Sequence, residues 1–352
     1  MTMTSTPQPP LAGLQVLDFS ELLPGPFFTQ NLQELGATVT KVERPPNGDS
    51  ARLLYPGIFE SVNRGKQSIM LNLKDQAGLE QARSLVRTAD VLVEGYRPGV
   101  MARLGLGYDE VRTLNPRIVY VSLSGYGQTG PNSKLPGHDL NYLAMAGALA
   151  LGGSDREFPA SGAGLSVADL AGAMYALSST LAALLARALT NQGRYLDVSL
   201  TDCVAHWMNP RLGQFGWAGQ ATLAEQRSEV LSKPGYGVFS TNDGGHVAIG
   251  ALEDHFWTRL KNALSLDQFE GYATYAQRAL MADRINDAIA ARIHQLSEQQ
   301  AIELLQNADV PISPLVLPSQ LLESEHVRSR GLVGKDAKFL RYPVDMTHVH
   351  QP

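Results

Sequence analysis

Leu14-Gln15-Val16-Leu17-Asp18-Phe19 and, twenty residues on, Thr38-Val39-Thr40-Lys41-Val42-Glu43 read as two short strands. Between them lie a Pro24-Gly25-Pro26 turn and a helical run over 27–35 that Gly36 closes. Strand, helix, strand is the smallest unit of a parallel sheet, because parallel neighbours need a crossover. The pattern continues with a strand over 68–73, a helix over 76–88, Val91-Leu92-Val93-Glu94, and Ile118-Val119-Tyr120-Val121-Ser122-Leu123. Short apolar strands between amphipathic helices imply a parallel sheet covered on both faces, and the class is α/β. Ligands of such sheets bind beyond the carboxyl ends of the strands.

Further along, 139–152 reads as a helix, 169–189 as a long buried helix, and Tyr195-Leu196-Asp197-Val198-Ser199-Leu200 as a strand. The stretch 209–235 reads as loop leaving this domain. Asn242-Asp243-Gly244-Gly245 lies between two apolar runs and signals a hairpin. Helices follow to about 308, and Val310-Pro311-Ile312 opens a return segment. The expected layout is a tail over 1–10, a large α/β domain over 11–208, a linker and smaller α+β domain over 209–308, and a return to the large domain over 309–352.

Composition narrows the function. The 352 residues can bury a sizeable core. A net charge of -5 argues against general nucleic-acid binding, while leaving arginines for a local anion. Cys203 is the single cysteine, which excludes an intrachain disulfide and a cysteine-rich metal site. The histidines show no metal-ligand spacing, so no metal is expected. The Thr/Pro/Gln-rich start lacks the pattern of a signal peptide, and the Ala/Leu-rich run near 170–187 falls short of a membrane span. A cytoplasmic setting without a membrane partner is the expectation.

Gly125-Tyr126-Gly127-Gln128-Thr129-Gly130 matches G-x-G-x-x-G after a strand, but Pro131 and Pro136 follow where a dinucleotide fingerprint needs a helix. A pocket-lining loop is the better reading. His138, after Pro136-Gly137, stands at the mouth of a helix, where it is either a packing or capping residue or a proton acceptor. Asp139 is then the conventional N-cap. Asp169 opens the next helix after a small-residue stretch, Gly162-Ala163-Gly164, and is either a cap or a carboxylate beside an oxyanion-holding turn. Arg44, Arg64, Lys66, Arg97 and Arg103 lie in or next to loops after strands, positions that suit phosphates and equally suit solvated loops. Glu253 ends a strand before an aromatic helix and is either a cap or an active-site carboxylate.

Together these motifs resemble the class III CoA-transferase (CaiB/BaiF) superfamily, which includes α-methylacyl-CoA racemases. The resemblance runs through Leu11-Ala12-Gly13-Leu14, Gly25-Pro26, Lys41-Val42-Glu43-Arg44-Pro45 and Asn63-Arg64-Gly65-Lys66. It continues through Ala89 to Gly99, Leu104-Gly105-Leu106-Gly107, Gly125 to Pro131, and Gly250-Ala251-Leu252-Glu253. It implies a Rossmann-like large domain plus a smaller α+β domain in an interlocked homodimer, with each active site between the large domain of one chain and the small domain of the other. Gly137-His138-Asp139-Leu140-Asn141-Tyr142 is similar to the racemase branch, in which His138 and Asp169 would be the two bases and a partner's Glu253 would assist. Coenzyme A enters as part of an acyl-CoA substrate, without a prosthetic group; Arg44, Arg64, Lys66, Arg97 and Arg103, with Asp139, would frame it. The branch carries a glycine run after the aspartate, whereas this chain has Asp169-Leu170-Ala171-Gly172-Ala173-Met174. That departure, and the spacing to Leu181-Ala182-Ala183-Leu184, resembles the transferases, whose aspartate is a nucleophile.

Overall fold

The computed structural model describes residues 8–153, 164–344 and 346. Among these, β1 (Gln15–Asp18), β2 (Thr38–Glu43), β3 (Gln67–Met70), β4 (Val91–Glu94), β5 (Val119–Ser124) and β6 (Arg194–Ser199) form one sheet in the order β3-β2-β1-β4-β5-β6. Every pairing is parallel. This is the doubly wound, Rossmann-like order, and it reverses direction between β1 and β4. The crevice beyond their carboxyl ends is therefore where the fold offers a binding site.

Side chains alternate across the sheet. Val16, Val91, Val93, Val119 and Val121 pack on one face with Phe28, Leu32, Ala171, Ala176 and Leu177. Leu17, Leu92 and Tyr120 pack on the other with Val86, Met101 and Leu106. Each fully buried Val, Leu or Phe contributes roughly 1.5–3 kcal/mol, so covering both faces is what holds this unit together. Helix Val167–Thr190 is the one described helix long and apolar enough to cross a membrane by length and composition. Its buried alanines lie in the first core cluster, which accounts for that composition.

Several boundaries differ from expectation. The first helix runs Pro24–Glu34, so the Pro-Gly-Pro turn is its first turn. Proline is favoured there because the first N–H groups of a helix have no internal acceptor. The helix expected over 139–152 spans Asp139–Met145, and Gly147, in the left-handed region at φ 79°, separates it from a short 3₁₀ turn at Leu149–Leu151. The stretch expected to be loop, 209–235, holds helices Asn209–Ala218 and Leu223–Leu231. A capping box marks the second of these: the Thr222 N–H donates to Glu225 Oε2 at 2.9 Å and the Glu225 N–H to Thr222 Oγ1 at 3.3 Å.

The described residues group into two compact units, 8–153 with 164–214 and 331–346 in one, and 215–330 in the other. The second unit has its own antiparallel sheet, β7 (Tyr236–Ser240), β8 (His246–Gly250) and β9 (Ile312–Pro314), in that order. Asn242 to Gly245 make the hairpin turn that their sequence signals. A core of Phe239, Val247, Trp257, Leu260, Ile285 and Ile289 fills it. Because Ile312–Pro314 pairs with β8, the chain rejoins the first unit from 331 rather than 309.

Candidate active site

A cavity of about 600 Å³ opens at the switch point between β1 and β4. Its lining includes Ser20–Leu22 and Pro24–Gly25 after β1, Gly95–Pro98 after β4, Leu123–Tyr126 at the end of β5 and just past it, Leu135–His138, Asn141–Tyr142 and Asp169.

Buried charges fix the first wall. Asp18, at the end of β1, accepts from the Ser20 N–H at 3.0 Å, from Thr29 Oγ1 at 2.5 Å and from Lys66 Nζ at 3.1 Å. Burial opposes ionisation of this carboxyl, but Lys66, Lys41 and the Ser20 and Thr29 hydroxyls outweigh it and hold the group down to about 2. Lys41 donates to the Ser20 carbonyl at 2.8 Å and pairs with Asp49 at 2.8 Å. Asp49 in turn accepts the Leu22 N–H at 3.0 Å, while Leu22 holds a left-handed φ of 67°. A leucine persists in that region only where its surroundings impose it.

The opposite wall carries the two candidate bases. His138 is the N-cap residue of helix Asp139–Met145, and its backbone N–H donates to Asn141 Oδ1 at 3.1 Å. Its exposed ring belongs to the cavity wall. The glycines before it are steric requirements. A Cβ on Gly125 or Gly137 would lie 2.3 or 2.7 Å from the Tyr142 ring, whose hydroxyl donates to the Gly137 carbonyl at 2.5 Å.

Asp139 is not the cap of its own helix. It is the first helical residue, and its carboxylate accepts the Ala168 N–H at 2.6 Å and the Asp169 N–H at 3.3 Å. It therefore caps the next helix, one of the two roles the sequence left open for Asp169. That helix begins two residues earlier than expected, at Val167, which leaves the Asp169 side chain free of capping. Burial, and then the charge of Asp139, push the Asp169 carboxyl up to about 7. A carboxyl poised there is half in its basic form at neutral pH and a better base than an ordinary carboxylate. Of the small-residue turn before it, Gly164 is left-handed at φ 74°; Gly162 and Ala163 lie outside the described residues.

Of the five basic candidates, Arg97 lines the cavity. Arg44 is exposed, 3.9 Å from Glu21. Arg103 is exposed at the end of helix Val100–Arg103. Arg64 bonds Glu34 and, at 3.0 Å, the Leu340 carbonyl, so it is committed to the C-terminal segment. Lys66 is buried with Asp18, the Pro26 carbonyl (2.9 Å), Thr29 (2.7 Å) and Asn63 (3.0 Å) around its ammonium, which leaves no donor for a phosphate. Glu253 is the exposed N-cap residue of helix Asp254–Ala263 in the second unit, without a side-chain capping bond. The G-x-G-x-x-G segment opens no helix; it forms the loop between β5 and helix Asp139–Met145.

Residues 11–349 match the sequence profile of CoA-transferase family III. The chain belongs to CoA-transferase family III. It is accordingly an enzyme, of a family in which both transferases and a racemase occur. It is 34% identical to the acetyl-CoA:oxalate CoA-transferase of Acetobacter aceti, over 95% of this chain and 88% of that one. It is 32% identical to human alpha-methylacyl-CoA racemase, over 91% of this chain and 81% of that one. A CaiB/BaiF family protein of Brucella suis has the same fold, with a TM-score of 0.85 at 27% identity, over 96% of this chain and 93% of that one.

The site residues that the sequence reading passed over are Tyr96, Asn141 and Tyr142. Tyr96 lies two residues past the end of β4, and the sheet topology alone puts it at the switch point. Asn141 and Tyr142 lie within the segment quoted for His138, but one turn of helix is needed to bring them to the same wall.

Proposed function

We propose that this family III enzyme racemises or epimerises a 2-methylacyl-CoA thioester by 1,1-proton transfer at the α carbon, through an enolate. The observation that carries the proposal is that His138 and Asp169 line one cavity while Asp139 performs the capping that would otherwise occupy Asp169. Inversion needs one group to take the α proton from one face and another to return a proton to the opposite face. Asp169 in its carboxylate form and a protonated His138 are such a pair, and after one turnover each holds the form that starts the reverse reaction. Asp139 takes the Ala168 and Asp169 N–H groups, so these two helix-end donors are not free to hold the enolate oxygen. Arg97 would frame the CoA phosphates.

The proposal includes the interlocked homodimer, with Glu253 of the partner subunit assisting His138, and a cytoplasmic setting. The first is what the resemblance of the sequence motifs to the family implies.

A second reading has its own support in the Acetobacter relative and in the chain's departure from the racemase glycine run after Asp169. In it the Asp169 carboxylate attacks the thioester carbonyl and expels CoA thiolate, forming an acyl anhydride. The thiolate then attacks the aspartyl carbonyl, releasing the acid and leaving an aspartyl-CoA thioester that an acceptor carboxylate consumes.

The test is proton NMR of chiral 2-methylacyl-CoA thioesters in D2O without acceptor acid, for wild type, His138→Ala and Asp169→Ala. Two-base racemisation gives α-deuteration with loss of optical purity, abolished by both substitutions. Absence of exchange in wild type, with acceptor-dependent CoA transfer that survives His138→Ala and is lost in Asp169→Ala, replaces the first reading with the second.

A further inference from the structure

Two loops contribute to the cavity lining: Gly95–Pro98 after β4, and the longer 125–138 loop through both of its ends. Within the longer one the Ser133 N–H and hydroxyl reach the Gly130 carbonyl at 3.4 and 3.0 Å and the Leu135 N–H the Asn132 carbonyl at 2.9 Å, while Thr201 and Tyr142 hold its ends at the Gly125 and Gly137 carbonyls. Something outside the loop must hold it.

Glu94, the last residue of β4, is 4% exposed and does not line the cavity. One carboxylate oxygen accepts the Tyr96 N–H at 2.8 Å, at the base of the first loop. The other accepts the hydroxyl of buried Ser122 on β5. Ser122 Oγ accepts in turn from Gln128 Nε2 at 2.7 Å, inside the second loop. The backbone N–H of Gln128 is also held between the two Asp197 carboxylate oxygens, at 3.1 and 3.0 Å. Burial, with the nearby Asp197 charge adding to it and the Ser122 and Tyr96 bonds opposing it, pushes the Glu94 carboxyl up to about 7. An acid buried without a cation beside it is costly, and an apolar residue would fill the strand end at lower cost.

We infer that Glu94 is a positioning residue that ties the two cavity walls together, holding the Arg97 loop directly and the His138 loop through Ser122 and Gln128. The inference rests on the cavity being the active site proposed above. Glu94 touches neither the cavity nor the candidate bases, so its effect passes through the loops. The two branches are separable: Ser122→Ala cuts the path to Gln128 and leaves the Tyr96 bond in place, while Glu94→Leu cuts both.

The experiment is amide hydrogen exchange of the full-length protein, read by mass spectrometry over 95–98 and 125–138, for wild type, Ser122→Ala, Gln128→Met and Glu94→Leu. Affinity for CoA itself is measured alongside. Ser122→Ala and Gln128→Met are expected to speed exchange at least tenfold over 125–138 and to leave 95–98 and CoA affinity within twofold of wild type. Glu94→Leu speeds exchange in both loops and weakens CoA, and Glu94→Gln, which keeps an acceptor oxygen, restores most of the protection. Should Ser122→Ala loosen both loops equally, or neither, the relay is wrong. If Glu94→Leu fails to fold, the Ser122 and Gln128 variants still decide. Loop exchange needs no turnover, so an absence of racemisation in wild type overturns the proposed function and leaves this result readable. With turnover present, Ser122→Ala lowers kcat for α-deuteration and leaves KM nearly constant.

Discussion

Replacing Asp169 with asparagine should make the protein inactive and more stable, and the gain should depend on pH. In the unfolded chain this carboxyl ionises near 3.8; in the fold it keeps its proton up to about pH 7. Between those values the fold binds more protons than the unfolded chain, so this group's contribution to stability falls as pH rises. Above pH 7 the penalty is complete. The gap between 3.8 and about 7, at about 1.4 kcal/mol per pH unit, sets a ceiling near 4 kcal/mol. The carboxyl lines an open cavity, and solvent there reduces the figure to about 2–4 kcal/mol. Asparagine carries no charge to desolvate. For units of this size about 2–4 °C accompanies each kcal/mol, so Asp169→Asn should raise Tm by roughly 4–16 °C at pH 8. The gain should shrink steadily to a small remainder at pH 4, just above 3.8, where the folded wild type is itself protonated. Scanning calorimetry of both proteins at pH 4, 6 and 8, at one protein concentration, measures it. A loss of stability at pH 8, or a gain of equal size at pH 4, would refute the reasoning that burial and Asp139 load this carboxyl.

Two further substitutions follow from the same geometry. Asp139→Asn keeps an oxygen for the Ala168 N–H but removes the charge facing Asp169, so the acid limb of the pH–kcat/KM profile should move to lower pH; an unmoved limb would mean that burial alone sets it. Lys66→Met should leave Asp18 charged and buried without its partner, at a cost of about 3–5 kcal/mol seen as a lower urea midpoint. An unchanged midpoint with weakened CoA binding would instead restore Lys66 as a phosphate ligand.

Much of the fold was legible because the chain obeys a simple physical alternation. Val16 and Leu17, or Val91 and Leu92, can both be apolar only when each face of the sheet is covered, and that condition is written in consecutive residues. The Asn242–Gly245 hairpin was legible for the same reason, as a local turn chemistry. Where reading failed, the deciding partner lay far along the chain. Asp139 looked like the cap of its own helix because the helix it does cap starts about thirty residues later. Lys66 looked like a loop lysine because Asp18, its buried partner, lies 48 residues away. The helices within 209–235 had a signal, Thr222 with Glu225, that glycine-rich surroundings obscured.

The sequence by itself determined the class of fold, the loops that meet at the switch point, and His138 and Asp169 as the residues to examine, since periodicity and short motifs are local properties. Only the tertiary structure decided which of these is free to act. Whether a carboxylate caps a helix, pairs with a lysine or stays poised near neutral pH depends on desolvation and on charges brought within a few ångströms by chain closure, and no local pattern carries that information.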